Sequence, residues 1–219
     1  MNQIDLKQIK KVHFIGIGGI GVSAIARMML LESKEVSGSD QTTSMVTEEL
    51  AKLGAKIFIG QKAENVPADA DLIIYTIAIP ADNPERQVGE ELGILMMTYP
   101  EALGEISKTK TTVAVAGTHG KTTTTAMVAQ IALEAKLDPT VVVGSFMFNN
   151  DGSKTNFIAG TGDLLIAEAC EYQRSFLNLS PKILVITNID EDHLDYYQDL
   201  VDIQNAFIEL VQKVPVDGF

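Results

Sequence analysis

Val113-Ala114-Val115-Ala116-Gly117-Thr118-His119-Gly120-Lys121-Thr122-Thr123-Thr124-Thr125 is the stretch that decides the fold. Its apolar, β-branched start predicts a buried strand, and a short glycine loop leads into a helix predicted to run to about Glu134. This arrangement is typical of a loop that cradles nucleotide phosphates, because glycines let N–H groups face the anion and the helix adds its dipole. We therefore expect Lys121 to reach the outer phosphates and the Thr122 hydroxyl to hold Mg2+.

The loop has the short form G-x-x-G-K-T. The full phosphate-loop pattern would need glycine at position 115, which is valine. A purely structural glycine turn before an ordinary helix is the alternative. Four threonines, which are poor helix formers, stand where the helix begins, and such a locally unfavourable choice favours a functional role.

Composition indicates a globular protein of one large or two small domains. The 219 residues are 46% hydrophobic and 21% charged. Apolar runs are too short to span a bilayer, and residues 1–12 are too polar for a signal peptide, so we expect no membrane partner. The single cysteine, Cys170, excludes an internal disulfide and fits a cytoplasmic location.

The charge balance argues against nucleic acid as a partner. Seventeen basic and 29 acidic residues give a net charge of −12. A phosphate-bearing ligand must therefore be held locally, by backbone N–H groups, a lysine and metal ions, against the overall field. Small ligands that arrive with Mg2+ fit this constraint.

A second glycine loop lies near the N-terminus. A predicted strand, Lys11–Ile15, runs into Gly16-Ile17-Gly18-Gly19-Ile20-Gly21, and an apolar helix follows over Ile20–Leu31. Asp40 comes 19 residues after Gly21, where a dinucleotide-binding unit places an acid for a ribose hydroxyl. The alternative is a turn of the same shape that binds nothing.

Strands and helices alternate along the whole chain. We predict an α/β protein in which a Rossmann-like nucleotide-binding domain, residues 1–108, precedes a P-loop ATPase-type domain, residues 109–219, that is incomplete at its C-terminus. Residues 147–162, rich in Asn, Gly, Ser and Asp, are predicted to be a loop, and residues 200–214 an amphipathic helix. Gly218-Phe219 looks like the start of a further strand.

Two further strand ends carry polar side chains. An apolar strand ends at Glu168, where phosphate-loop enzymes place a metal-binding acid, and another ends at Asn188 before an acidic segment that contains His193. Both ends should lie on the edge of the sheet that carries the phosphate loop. Cys170, between carboxylates, is interpreted as a buried thiol rather than a nucleophile.

These motifs together resemble the Mur ligases of peptidoglycan synthesis. The resemblance covers all 219 residues and rests on the following segments: His13-Phe14-Ile15-Gly16-Ile17-Gly18-Gly19-Ile20-Gly21, Ser37-Gly38-Ser39-Asp40, Ala78-Ile79-Pro80, Asn83-Pro84, 117–127, Glu168-Ala169-Cys170-Glu171, Thr187-Asn188-Ile189 and Asp192-His193-Leu194-Asp195. Many family members have Asp-Glu-Ser-Asp where this chain has Cys170-Glu171-Tyr172-Gln173. The resemblance therefore implies no contacts for that segment.

The resemblance implies ATP-driven amide formation through an acyl phosphate, with UDP-N-acetylmuramate and L-alanine as small-molecule substrates. Lys121 would stabilise the transferring phosphoryl group, Thr122 and Glu168 would hold one Mg2+, and Glu168 with His193 would hold a second. The ATP-binding residues implied are Gly117, Thr118, His119, Gly120, Lys121, Thr122 and Thr123. The residues implied for UDP-N-acetylmuramate are Gly16, Gly18, Gly19 and Gly21 at the diphosphate, Asp40 at the uridine end, and Thr76 in the same crevice.

Three alternatives stay open at this point. A related ligase that attaches a whole peptide to the same sugar nucleotide shares these motifs. An NAD-dependent oxidoreductase would explain the first glycine loop but not Gly-Lys-Thr, and a nucleotide-sensing switch would bind ATP without any need for Glu168 and His193 together. We also expect the chain, taken as incomplete, to be inactive alone and to self-associate through an exposed sheet edge.

Overall fold

Two compact units make up the chain, Met1–Ala102 and Leu103–Phe219. The computed structural model describes residues 5–148, 152 and 154–219. The sequence places the boundary near residue 108, at the end of a helix that begins before the observed division. Across the described residues, no helix combines the length and apolar character needed to cross a membrane.

The first unit is a five-stranded parallel sheet flanked by helices. Its elements are β1 (Lys11–Ile15), α1 (Ile20–Leu31), β2 (Glu35–Asp40), α2 (Met45–Lys52), β3 (Lys56–Ile59), β4 (Leu72–Tyr75), α3 (Pro84–Glu91) and β5 (Leu95–Thr98), with a 3-10 turn at Ala63–Asn65. The strand order is β3-β2-β1-β4-β5, so the direction of winding reverses beside β1. Ligands of open parallel sheets bind at such a reversal, and the Rossmann-like prediction is confirmed.

The second unit contains another five-stranded sheet. Helix α4 (Tyr99–Lys108) leads into it, and its elements are β6 (Thr111–Ala116), α5 (Lys121–Glu134), β7 (Thr140–Phe148), β8 (Lys154–Ile158), β9 (Leu164–Glu168), β10 (Ile183–Ile186) and α6 (Leu200–Val211), with a 3-10 segment at Tyr172–Asn178. The strand order is β10-β6-β9-β7-β8. Strands β10 and β9 run parallel to β6 on either side of it, so the ends of all three strands meet at one edge.

Strand β6 is central because its side chains suit burial on both faces. Five of its six residues are buried, as expected of an inner strand in a parallel sheet. Helix α5 packs through Thr125, Ala129 and Ala132, which are buried and spaced at helical intervals. These small side chains let the helix lie close to the sheet behind the phosphate loop.

The prediction of a loop over residues 147–162 is wrong. Strand β7 continues to Phe148, and Lys154–Ile158 forms β8, an antiparallel strand paired with it. The pairing shifts register between Val142 and Met147, which blurs the alternation that predicts a strand. Residues 149–151 and 153, also within the predicted loop, lie outside the described residues.

Helix α6 is shorter than predicted. It ends at Val211, which is 49% exposed, whereas the predicted helix reached Val214. Its buried stripe consists of Ile203, Ala206, Phe207 and Leu210. Asp199 caps its start by accepting the Asp202 N–H at 2.8 Å, and the stripe fixes this helix against the 3-10 segment through an edge-to-face contact between Phe207 and Phe176.

Candidate functional site

The phosphate loop turns on two glycines with left-handed backbones. Gly117 has φ +134° and Gly120, the residue before α5, has φ +81°. A Cβ on Gly117 would lie 2.0 Å from the Thr187 hydroxyl oxygen, so only glycine fits there. Gly120 has no side chain with which to cap the helix, so the first N–H groups of α5 are left to a ligand or to water.

The tip of β10 fixes the loop from the side. Asn188 accepts the Thr118 N–H through its carbonyl at 3.0 Å and the His119 N–H through its side-chain oxygen at 2.9 Å. The Thr187 hydroxyl and the Asn188 side-chain amide both donate to the His119 carbonyl, at 2.6 and 3.0 Å. Since two loop amides are used internally, we expect phosphate to be held by amides from Gly120 onward.

Lys121 is folded back over the loop. Its ammonium donates to the carbonyls of Gly117 and Thr118, at 2.7 and 3.0 Å, and to Glu171 at 2.9 Å. These three bonds match the three donors of an ammonium group. The lysine thus lies at the loop, as the sequence predicts, with a carboxylate that sequence reasoning left without a role.

Thr122 and Glu168 meet at the start of α5. The Thr122 hydroxyl donates to the two carboxylate oxygens of Glu168, at 2.9 and 3.1 Å, and the Gly144 N–H donates to the same carboxylate at 2.8 Å. The sequence motifs that end β6 and β9 are therefore in direct contact. Thr123, next on the helix, is exposed and borders an open groove with Met127 and Phe146.

The His193 ring lies beside the Glu171 carboxylate. Its Nε2 lies 3.7 Å from Glu171, and Asp192 completes a group whose potential ligand atoms lie within 4.8 Å of one another. His193 has φ +53°, a conformation that non-glycine residues rarely adopt, and its ring lies 4.8 Å from that of Tyr172. Of the predicted metal ligands, Thr122 and Glu168 are therefore in direct contact. The third, His193, has its carboxylate contact with Glu171.

The segment after Glu168 holds the residues that sequence reasoning missed. Glu171 is buried, with a side chain 2% exposed, and Tyr197 donates its hydroxyl proton to the Glu171 carbonyl at 2.5 Å. Gln173 and Arg174 both have left-handed backbones that turn the chain sharply. The motif placed Glu171 three residues after a predicted metal ligand, and that spacing was the only signal available.

Cys170 is exposed, so its interpretation as a buried thiol is wrong. Loss of hydration around the sulfur, together with the charge of Glu171, raises the pKa of the thiol. A raised pKa disfavours the thiolate, and the view that Cys170 is not a nucleophile stays a prediction.

In the first unit, the N-terminal glycine loop contacts the acid at the end of β2. The Gly18 N–H donates to the Asp40 carboxylate at 2.8 Å, and the amides of Gly16 and Ile17 donate to the Ser39 carbonyl at 2.9 Å. Gly16 has φ +79°, and a Cβ there would lie 2.7 Å from the Thr76 methyl carbon. The loop, Asp40 and Thr76 border one open cleft of about 430 Å3, which also includes Gly19.

Gly21 faces a different neighbour. It lies in the first turn of α1, and a Cβ there would lie 2.5 Å from the ring of Tyr99. The third glycine of the motif is therefore required by packing within this unit.

A buried polar network lies below this cleft. The Glu85 carboxylate accepts from Ser39 and Asn65, both at 2.6 Å, and lies 3.3 Å from His13 on β1. Burial raises the pKa of Glu85, but the hydrogen bonds from His13, Ser39 and Asn65 outweigh it and lower the pKa below its ordinary value. The network joins β1, β2 and the start of α3 beneath the residues that line the cleft.

Family models match nearly all of the chain. Residues 11–111 match the Mur ligase family, catalytic domain, and residues 115–219 match the Mur ligase middle domain. The division between the two matches falls after α4, near the boundary between the two glycine-loop units.

Similar proteins carry related names. A UDP-N-acetylmuramate–L-alanine ligase from Clostridium botulinum (strain Hall) is 50% identical over 96% of this chain and 45% of that protein. The solved structure of a UDP-N-acetylmuramate-alanine ligase from Thermotoga maritima is similar with a TM-score of 0.84 at 35% identity, over 93% of this chain and 47% of that one. A UDP-N-acetylmuramate:L-alanyl-gamma-D-glutamyl-meso-diaminopimelate ligase from Neisseria meningitides matches with a TM-score of 0.84 at 27% identity, over 96% of this chain and 70% of that one. The chain spans about half the length of the curated relatives it matches.

Proposed function

We propose that this chain, which belongs to the Mur ligase family, provides the nucleotide-binding units of an ATP-dependent ligase that joins L-alanine to the carboxylate of UDP-N-acetylmuramate. The observation that carries the proposal is the contact of Thr122 with Glu168 beside Lys121, at one sheet edge. A loop of this kind binds triphosphates through helix amides and a lysine. The 50% identity to proteins named for the alanine reaction supports the substrate assignment.

The proposed reaction proceeds in two steps. A carboxylate oxygen of UDP-N-acetylmuramate attacks the γ-phosphorus of ATP, which forms an acyl phosphate and releases ADP. The amine of alanine then attacks the acyl carbon, and inorganic phosphate leaves from the tetrahedral intermediate. Amides at the start of α5 and the Lys121 ammonium stabilise the negative charge of the phosphoryl group during its transfer.

The residues at the start of α5 suit a magnesium ion. A threonine hydroxyl and a carboxylate 2.9 Å apart offer the oxygen ligands that Mg2+ prefers. Thr122 and Glu168 would hold the first ion, and Glu168 with His193 a second, which requires His193 to leave its contact with Glu171. When bound, Mg2+ neutralises charge on the phosphate oxygens and on the reacting carboxylate.

The first unit would bind the uridine nucleotide. Its cleft lies where the winding of the parallel sheet reverses, and it is bordered by Gly16, Gly18, Gly19, Asp40 and Thr76. The diphosphate would lie against the glycine loop at the start of α1, where the helix dipole favours an anion, because the amides of the loop itself are bonded to Ser39, Asp40 and Gly16. Asp40 would accept a hydrogen bond at the uridine end. We place the reaction in the cytoplasm, where ATP is available.

Calorimetry on the chain tests the proposal directly. ATP with Mg2+ and UDP-N-acetylmuramate should each bind, and UDP-N-acetylmuramate should bind more tightly than NAD. The variant Lys121→Met should lose ATP affinity and keep UDP-N-acetylmuramate affinity. Tighter binding of NAD than of any uridine nucleotide would instead favour the oxidoreductase alternative.

A further inference from the structure

Glu171 has a position that the proposed reaction does not use. Its carboxylate is 2% exposed and both of its oxygens lie 2.9 Å from the Lys121 ammonium, whose side chain is 14% exposed. The Tyr197 hydroxyl fixes the Glu171 backbone from behind. A charge pair shielded from water to this degree interacts much more strongly than a surface pair.

The same contacts determine where the lysine points. Two donors of the ammonium are bonded to the Gly117 and Thr118 carbonyls, and the third is bonded to Glu171. A phosphate bound at the start of α5 would need at least one of these donors. Because the carbonyls belong to the loop itself, Glu171 is the partner that a phosphate would replace.

We propose that Glu171 is a positioning residue for Lys121: it holds the ammonium folded over the loop while no phosphate is bound, and it competes with phosphate for that ammonium. The inference rests on the proposed function for the identity of the anion, a triphosphate. Its chemistry is an exchange of one anionic partner of the lysine for another. Glu171 itself need not touch the nucleotide.

The first experiment measures the restraint without any nucleotide. An amine-reactive reagent is applied to the chain, and the modification rate of Lys121 is followed by mass spectrometry of its peptide. Glu171→Gln should raise the rate at least about tenfold, which corresponds to loss of a strong, largely buried pair. Glu171→Asp keeps the charge on a shorter side chain and should give an intermediate rate.

A matched control separates position from charge. Glu191 is exposed on the acidic segment before His193, and Glu191→Gln removes the same charge from that segment. It should leave the Lys121 modification rate unchanged. Circular dichroism on each variant identifies any that fails to fold, and Glu171→Asp then serves in place of Glu171→Gln.

The second experiment measures competition for the lysine. Tripolyphosphate affinity is determined in EDTA, so that a role of Glu171 as a metal ligand cannot contribute. Glu171→Gln should bind at least about tenfold more tightly than the unmodified chain. In a Lys121→Met background the same substitution should have less than about a twofold effect, because the coupling passes through the ammonium.

The outcomes are distinct. Equal modification rates for the unmodified chain and Glu171→Gln would overturn the proposal whatever the affinities are. Faster modification with unchanged or weaker tripolyphosphate binding would overturn the competition. Faster modification with no tripolyphosphate binding by any variant in EDTA would support the restraint and overturn the competition, and the separate calorimetry with ATP and Mg2+ decides the proposed ATP site.

Discussion

Gly117 combines two constraints that no other residue meets. Its φ of +134° disfavours any side chain, and Thr187 occupies the space that a Cβ would need. We expect Gly117→Ala to lower the free energy of unfolding of the second unit by about 2–5 kcal/mol, as the sum of backbone strain and overpacking. Urea denaturation measures the change.

A second glycine provides the control for that experiment. Gly93 also has positive φ, +66°, but open space surrounds its position. Gly93→Ala should cost only about 1–2 kcal/mol, from strain alone. If both substitutions cost the same, the close approach of Thr187 is not important for stability.

Glu168 is predicted to act through Mg2+. Glu168→Gln keeps the shape of the side chain and one oxygen that can accept from Gly144, and it places an amide donor where the Thr122 hydroxyl can accept it, but it removes the negative charge that attracts a cation. The gain in ATP affinity that Mg2+ produces should fall at least about tenfold. Calorimetry with and without Mg2+ measures this, Glu191→Gln is the exposed control, and an unchanged Mg2+ effect would mean that Glu168 is not a ligand.

At the scale of elements, Tyr197 is hydrogen-bonded to Glu171, the residue that precedes the 3-10 segment after β9. The Tyr197 side chain is 2% exposed, and burial raises the pKa of its hydroxyl from 10.0 to about 12. Between these two values the unfolded chain loses the proton while the folded chain keeps it. Titration of this hydroxyl therefore lowers the free energy of unfolding by about 3 kcal/mol in total as pH rises from 10 to 12.

Phenylalanine variants test the titration of Tyr197. Tyr197→Phe should be about 1 kcal/mol less stable than the unmodified chain at neutral pH, from loss of the bond to the Glu171 carbonyl, but it should lack this alkaline decline. Tyr196→Phe, at a position 42% exposed, should keep the decline. Thermal unfolding measured from pH 8 to 12 distinguishes the two, and parallel pH profiles for both would contradict the assignment.

Elements with a clear pattern could be predicted, and their contacts could not. Strand β6 follows from an apolar run ended by Gly117, helix α1 from an apolar run that begins after Gly19, and Glu168 from its place at a strand end. Strand β8 was missed because Lys154–Ile158 has few apolar residues and includes a buried asparagine, Asn156. The partner of Lys121 was missed because two consecutive left-handed residues after Tyr172 turn the chain, and no periodicity encodes them.

The exposed position of Cys170 has a different origin. Beyond the buried residues Leu165, Ile166 and Ala167, burial still alternates: Ala169 and Glu171 are buried, and Cys170 between them is exposed. The interpretation as a buried thiol relied on the neighbouring carboxylates and not on this alternation. A residue in a turn can be small, apolar and still solvent-exposed. Predictions at strand ends therefore identify which residues gather at a site more reliably than which way each one faces.

At the scale of the whole molecule, each unit has its own sheet and its own glycine loop. We expect Asp40→Asn to weaken binding of UDP-N-acetylmuramate by about tenfold through loss of a charged hydrogen bond, with unchanged ATP affinity. Lys121→Met should have the opposite pattern. Calorimetry with each ligand alone makes the comparison, and a loss of both affinities in either variant would refute separate sites.

Strand β10 gives a reason to expect association between copies. It is the end strand of its sheet, and Phe219 pairs with its outer side through hydrogen bonds with Leu184 and Lys182 but is itself 85% exposed. An exposed apolar ring beside a sheet edge tends to associate with another chain. Sedimentation velocity should detect concentration-dependent association that Phe219→Lys reduces, and a single monomeric species at all concentrations would contradict this expectation.

The contact of Gly21 with the Tyr99 ring has an evolutionary consequence. Positions 21 and 99 share one fixed volume, so a larger residue at the first is compatible with the fold only when the second becomes smaller. Alanine at 21 should thus occur in relatives that have lost the aromatic ring at 99, and such a pair would preserve the cleft of the first unit. A related sequence that lacks the third glycine has then exchanged side-chain volume between positions 21 and 99, and this change alone does not indicate that ligand binding is lost.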